Sequence, residues 1–201
     1  MTTVPWLTLL GAVPLVGALI ILLLPKSRPG AAKAIALVFS IAALLLTVVI
    51  ALQFDANSTD RFQFVERYPW IPIFRIDFAV GLDGIALVMV ALAAVLVPVA
   101  IISGWREPDE AAGGSAKAFY AWIMVLETLM FGVFAATDVF LFYVFFEAML
   151  IPVYFLIGRF GGAQRSYAAV KFLIYSLVGG LLLLVAMIGL YVVSLQSIPG
   201  G

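Results

Sequence analysis

Cysteine is absent from this 201-residue chain, and so is histidine. The first absence removes disulfides, thiolate-held iron–sulfur clusters and a cysteine nucleophile. The second argues against bis-histidine haem, a His-ligated metal and a His general base. Charge is scarce as well: 11% of the residues are Asp, Glu, Lys or Arg, against about a quarter in soluble domains. The 11 basic and 11 acidic residues cancel, so nothing in the balance suggests nucleic acid or a broadly charged partner. A phosphate-cradling glycine loop is missing too, since "GGAQRS" at 161–166 is too short and badly placed for one. The expectation is a chain that holds no metal and no redox cofactor of its own.

What the sequence does have is apolar length. Sixty-five per cent of it is apolar, against about half in soluble proteins, which makes it an integral, all-α membrane protein. At about 20 apolar residues per span, six transmembrane helices are expected, over 5–24, 34–53, 82–102, 118–136, 139–158 and 167–195. The first lacks a basic leader and is too long for a signal-peptide core, so it reads as a retained span. Between the second and third, the alternation in "RFQFVER" and "FRIDFAV" around Pro69 and Pro72 predicts a small hairpin within a loop over 54–81 that caps one membrane face. Helices four and five are joined almost directly at "ATD", where Asp138 can cap the fifth helix. No repeat or linker divides residues 1–201, which read as a single transmembrane helical domain.

Basic residues give an orientation. Lys26, Arg28, Lys33, Arg106, Lys117, Arg159 and Arg165 share one side, and Arg61, Arg67 and Arg75 the other. By the positive-inside bias the N-terminus is expected outside.

Three ionisable residues fall well inside the spans: Glu127 on the fourth, Glu147 on the fifth and Lys171 on the sixth. A charged side chain at mid-bilayer costs about 2.5–3.5 kcal/mol on insertion scales, so such groups mark proton or ion routes, or paired sites. Glu127 lies ten residues before Thr137 and Glu147 ten after it, so each is expected about 15 Å down from the hairpin tip and level with the other. Lys171 enters from the opposite face, about 9 Å in. An ammonium that approaches or leaves a carboxyl in a low-dielectric site changes whether the acid keeps its proton, which is the chemistry of a switchable relay. Pro152, five residues after Glu147, has no N–H to offer the carbonyl of Ala148 and so interrupts the helix ladder beside the acid. Competing structural readings attach to each. The two acids could anchor helix packing through hydrogen bonds, and Lys171 could snorkel to the membrane surface. Asp83 reads as a cap, Gly179-Gly180 as a close-packing site, and "FLFYVFF" as packing or lipid-facing residues.

The stretches "DVFLFYVFFEAMLIPVYFLIGRFGG" and "RSYAAVKFLIYSLVGGLLLLVAMIGLY", with "GLDGIALVMV" at 81–90, resemble the M subunit of bacterial proton-pumping NADH:quinone oxidoreductase, respiratory complex I. The likeness covers about residues 80–195 well and the first two spans in pattern only. It implies a membrane-arm subunit in the bacterial inner membrane, partnered by other membrane-arm subunits, including antiporter-like sisters, and by lipid. The parent complex would carry FMN and iron–sulfur clusters and use NADH and a quinone, while this chain holds none of them. Glu147 would be the acid of a Glu/Lys pair in proton translocation, with Lys171 beside the route. The resemblance further implies about fourteen helices in two inverted repeats, so these residues are expected to be the N-terminal part of a longer subunit. A multisubunit cation/proton antiporter, which is similar in the fifth-helix acid, is the alternative.

Overall fold

The computed structural model describes residues 4–25, 29–74, 76–105 and 115–197. Six helices dominate it: α1 (Trp6–Leu23), α2 (Pro29–Gln53), α3 (Gly84–Ser103), α4 (Ala116–Ala135), α5 (Val139–Phe160) and α6 (Arg165–Ser197). Each contains a stretch long and apolar enough to cross a membrane. Lys26, Arg28, Arg75 and Arg106, four of the residues behind the expected orientation, lie outside the described residues.

Helix α2 begins five residues earlier than its apolar run predicts, at Pro29. Proline suits a first helical position because its missing N–H would have no intrahelical partner there, and its fixed φ is already helical. Lys33 is thereby drawn into the first helical turn, where it is buried with its ammonium 5.9 Å from the centre of the Trp105 ring.

The expected hairpin is present. Strand β1 (Gln63–Ile71) pairs antiparallel with β2 (Ile76–Leu82), and a 3-10 turn at Pro72–Phe74 lies between them. The α4–α5 turn joins this ribbon: Thr137 N donates to Ala79 O at 2.9 Å, and Ala136 bridges to Val80. Gly81 sits at the crowded meeting point, 3.2–3.3 Å being all that a side chain's first carbon would have from Thr137, Phe62 and Val65. The ribbon thus lies over the ends of the helices, with Phe78 edge-on to Phe145 and Trp70 tilted against Phe140.

Helix ends at this sheet side are closed by acids, because first-turn N–H groups have no intrahelical acceptor. Asp83 accepts from Ala86 N at 2.7 Å, and Asp138 from Phe140 N and Leu141 N, both at 2.9 Å, as the sequence predicts. Helix α1 follows Pro5, which offers no capping side chain. Its acceptor comes from β1 instead: Glu66 takes bonds from Leu7 N at 2.7 Å, Thr8 N at 3.2 Å and the Thr8 hydroxyl. At the opposite end of α1, Lys117 Nζ donates to Leu24 O at 2.7 Å, a cation on the negative end of the helix dipole.

Helices α1–α4 form the packed body. Helix α2 turns a stripe of Ala32, Ala36, Ser40, Ala43, Thr47 and Ile50 inward, and these mostly small residues permit close approach. Both hydroxyls on that stripe are satisfied by their own helix, Ser40 on Leu37 O and Thr47 on Ala43 O. Helix α4 meets the body along Tyr120, Met124, Glu127 and Phe131, and Thr128 Oγ1 ties it to Gly11 O of α1 at 3.1 Å. Helices α5 and α6 attach outside α4 as a second, thinner layer.

Candidate functional site in the α5–α6 interface

Helix α5 has two working faces, and its sequence separates them by spacing. Phe145 lies on α4: its ring atoms fill the space beside Gly132, where an added Cβ would come within 2.6–2.7 Å of them. Further along, Trp122 of α4 stacks on Phe155 with ring centres 4.8 Å apart and planes 9° from parallel, and Phe119 meets Phe160 edge-on at 5.0 Å. Glu147 is two residues from Phe145, about 200° round the helix, and so points away from α4.

It points at α6. Glu147 Oε1 occupies the position in which a side chain at Gly180 would begin, and the rest of the carboxyl lies against the same glycine. Eleven residues along α5, close to three full turns from Glu147, Gly158 approaches Ala169 of α6 on that face. Among the described positions of α6, Ala169 and Gly180 are the buried ones, again eleven residues apart. The pair therefore packs along one stripe from each helix, with Glu147 and Gly180 at its middle. Glu147 Oε1 is buried there and accepts no hydrogen bond from the described residues. Tyr143 stands one turn before Glu147 on α5, and Ser176 one turn before Gly180 on α6, so two hydroxyl-bearing residues flank the acid along the stripe.

The remaining residues singled out by the sequence do not gather here. Lys171 is nine residues from Gly180, two and a half turns, which puts it on the opposite face of α6. It is exposed, with its ammonium 5.7 Å from the ring centre of Tyr167 and 5.9 Å from that of Tyr175. Glu127 is wholly buried, 0% exposed, on the α4 stripe that faces α1–α3, and neither of its carboxyl oxygens has a hydrogen-bond partner among the described residues. The two acids thus lie on opposite sides of the α4–α5 pair. Nor are they level. The Trp122–Phe155 pairing sets Glu127 across from Leu150, about 4.5 Å further from the turn than Glu147. Equal spacing from Thr137 misleads because Thr137, bonded to Ala79, lies outside both helices, and the register centres between Asp138 and Val139. Pro152 is buried within α5, which is helical from Val139 to Phe160.

Two residues escaped the sequence reading. Gly180 was legible only as half of a glycine pair, and nothing in the spacing says which glycine meets α5. Glu66 lies in an alternating strand, and its reach to α1 depends on tertiary placement. Spacing alone does disclose that Lys171 and Gly180 cannot face the same neighbour on a straight helix.

A buried polar atom with no hydrogen bond costs free energy, so the Oε1 of Glu147 marks this seam as the candidate site. Among the described residues no three His, Cys, Asp or Glu side chains gather as a metal site.

A bundle of six apolar helices with ionisable side chains between them is a multi-pass membrane protein. Residues 136–196, which include Glu147 and Gly180, match the family described as NADH:quinone oxidoreductase/Mrp antiporter, TM. Over its whole length it is 44% identical to NADH-quinone oxidoreductase subunit M of Mycobacterium tuberculosis, of which it spans 41%. Its fold matches respiratory complex I from Thermus thermophilus with a TM-score of 0.78 at 26% identity, covering 94% of this chain and 36% of the other. It also matches the Mrp complex from Dietzia sp. with a TM-score of 0.71 at 21% identity, covering 90% and 19%, a likeness of fold alone. The chain spans about two fifths of the length of the curated relative from Mycobacterium tuberculosis.

Proposed function

We propose that this chain is part of a proton-translocating membrane-arm subunit of NADH:quinone oxidoreductase, with Glu147 as its main relay group. The observation that carries this reading is the buried Oε1 of Glu147, which accepts no hydrogen bond among the described residues and lies between two membrane-spanning helices in the segment that matches the family. The whole-length likeness to subunit M of a NADH-quinone oxidoreductase supports it. On this reading, NADH, FMN, iron–sulfur clusters and quinone belong to other parts of the complex, whose membrane-arm subunits are the partners of this one. Residues 1–201 act as one helical unit in the bacterial inner membrane, with the β-hairpin end outside. Glu127 and Lys171 serve as secondary relay groups, Glu127 from the packed body and Lys171 from the outward face of α6. Pro152 loosens the ladder one turn from the acid.

The test is Glu147→Gln in the assembled complex, with proton translocation measured alongside NADH oxidation. Loss of translocation is expected, because the amide cannot carry the proton. Full pumping at normal turnover overturns the reading. The family description also covers cation/proton antiporters; sodium-driven transport in membranes lacking NADH dehydrogenase subunits would favour that reading instead.

A further inference from the structure

Gly179 and Gly180 are neighbours in one helix, yet only one of them touches the acid. A Cβ on Gly180 would fall on the carboxyl of Glu147, whereas a Cβ on Gly179 would meet nothing within 4 Å. Gly180 is buried and Gly179 exposed. The contact is at the level of the backbone: the carboxyl rests where α6 has no side chain at all. A Cα–H group there can face a carboxyl oxygen as a weak donor whether or not the acid holds a proton. Lys171, the cation nearer to Gly180 along this helix, lies on the other side of it.

We propose that Gly180 is the positioning residue for Glu147: its bare Cα is the seat that holds the carboxyl in the α5–α6 interface at the place where it exchanges its proton. The proposal rests on the assignment of Glu147 as the relay group. It differs from a general close-packing role in one respect. A packing glycine serves the approach of two backbones, and its replacement is relieved by separating the helices. A seat serves one functional group, and its replacement is relieved by shortening that group. Small displacements matter, since a misplacement of about 1 Å at a reacting group can cost up to about a hundredfold in rate.

The experiment is a cycle of variants in the intact complex in native membranes, reading assembly, NADH oxidation and proton translocation for each. Gly179→Ala is the control, because it makes the same change in helix propensity one residue away and is expected to translocate as the unaltered complex does. Gly180→Ala is expected to lower translocation about ten- to a hundredfold. The decisive member is Gly180→Ala on a Glu147→Asp background. Aspartate is one methylene shorter and leaves room for the added methyl, so the double variant should behave as Glu147→Asp alone. If Gly180→Ala fails to assemble, the same logic holds at that level, and assembly restored by Glu147→Asp supports the seat. The proposal is overturned if Gly180→Ala matches Gly179→Ala, or if shortening the acid brings no recovery in translocation or assembly. Those outcomes leave the role of Glu147 intact where Glu147→Gln still abolishes pumping. Full pumping by Glu147→Gln removes that role, whatever the glycines do.

Discussion

The two layers of the molecule handle a buried acid differently. In α1–α4, between 28% and 39% of each span's most apolar window is buried, and Glu127 sits among close-packed side chains with no exposure. In α5 and α6 the share falls to 17% and 6%, and Glu147 lies in a single two-helix seam. The first acid is enclosed on several sides, while the second is reached by separating or sliding one helix pair. A group that must gain and lose protons is better served by the thinner layer, because opening one seam disturbs less packing than opening a core. The contrast also explains why the outward residues of α6, among them Leu182 and Tyr175, are exposed and apolar: they are suited to lipid or to further helices.

The sharpest way to break the comparison is to remove what holds the packed layer to its sheet. Glu66→Ala leaves first-turn N–H groups of α1 without their acceptor in a buried place, and bonds to a charged group are worth about 1.5–3 kcal/mol each. A loss of about 3 kcal/mol is expected, with faster hydrogen exchange confined to the first turn of α1; an unchanged exchange rate there would count against the cap. Next in size are truncations across the two layers. Met124→Ala should destabilise the folded chain in detergent by about 2 kcal/mol, near the low end of such costs, since lipid-like surroundings remove most of the transfer contribution and leave the cavity. Leu182→Ala, at an exposed position, should stay within about 0.5 kcal/mol. Equal effects at the two sites would erase the distinction between the layers.

The joint between the layers comes third. Gly132→Ala forces a methyl against the Phe145 ring and should cost about 1–2 kcal/mol by overpacking, with recovery in the double variant carrying Phe145→Leu. Smaller again is Asp138→Ala, which removes the cap of α5 and should cost about 1 kcal/mol in thermal unfolding followed by helix content.

Much of this architecture was legible in the sequence because single-span physics dictates it. Apolar run length fixed the six helices, and aspartates ahead of such runs marked the caps at Asp83 and Asp138. The alternation around Pro69 announced the hairpin. What spacing could not supply was the facing of one helix toward another. Glu127 and Glu147 share a distance from Thr137, yet the turn's bond to Ala79 shifts the register and the wheel sends the two acids to opposite sides. Lys171 looked close to Glu147 when depth alone was considered, but it lies half a turn from the face that meets α5. Helix identity is a local property, whereas which residues meet depends on rotation about each axis, which in a uniformly apolar span is set by small residues and long-range bonds.

The bond from Thr137 to Ala79 has a mechanical side. It pins the start of α5 to a ribbon that runs straight on into α3, so that end of the helix is a fixed pivot, while the far end is held by side-chain packing such as Trp122 on Phe155 and Phe119 on Phe160. For a helix of 22 residues, about 33 Å long, a swing of about 5° would move the far end by roughly 3 Å. The same swing carries Glu147, about 12 Å from the pivot, only about 1 Å across the face of α6. Any displacement of that far end would reach the acid reduced to about a third.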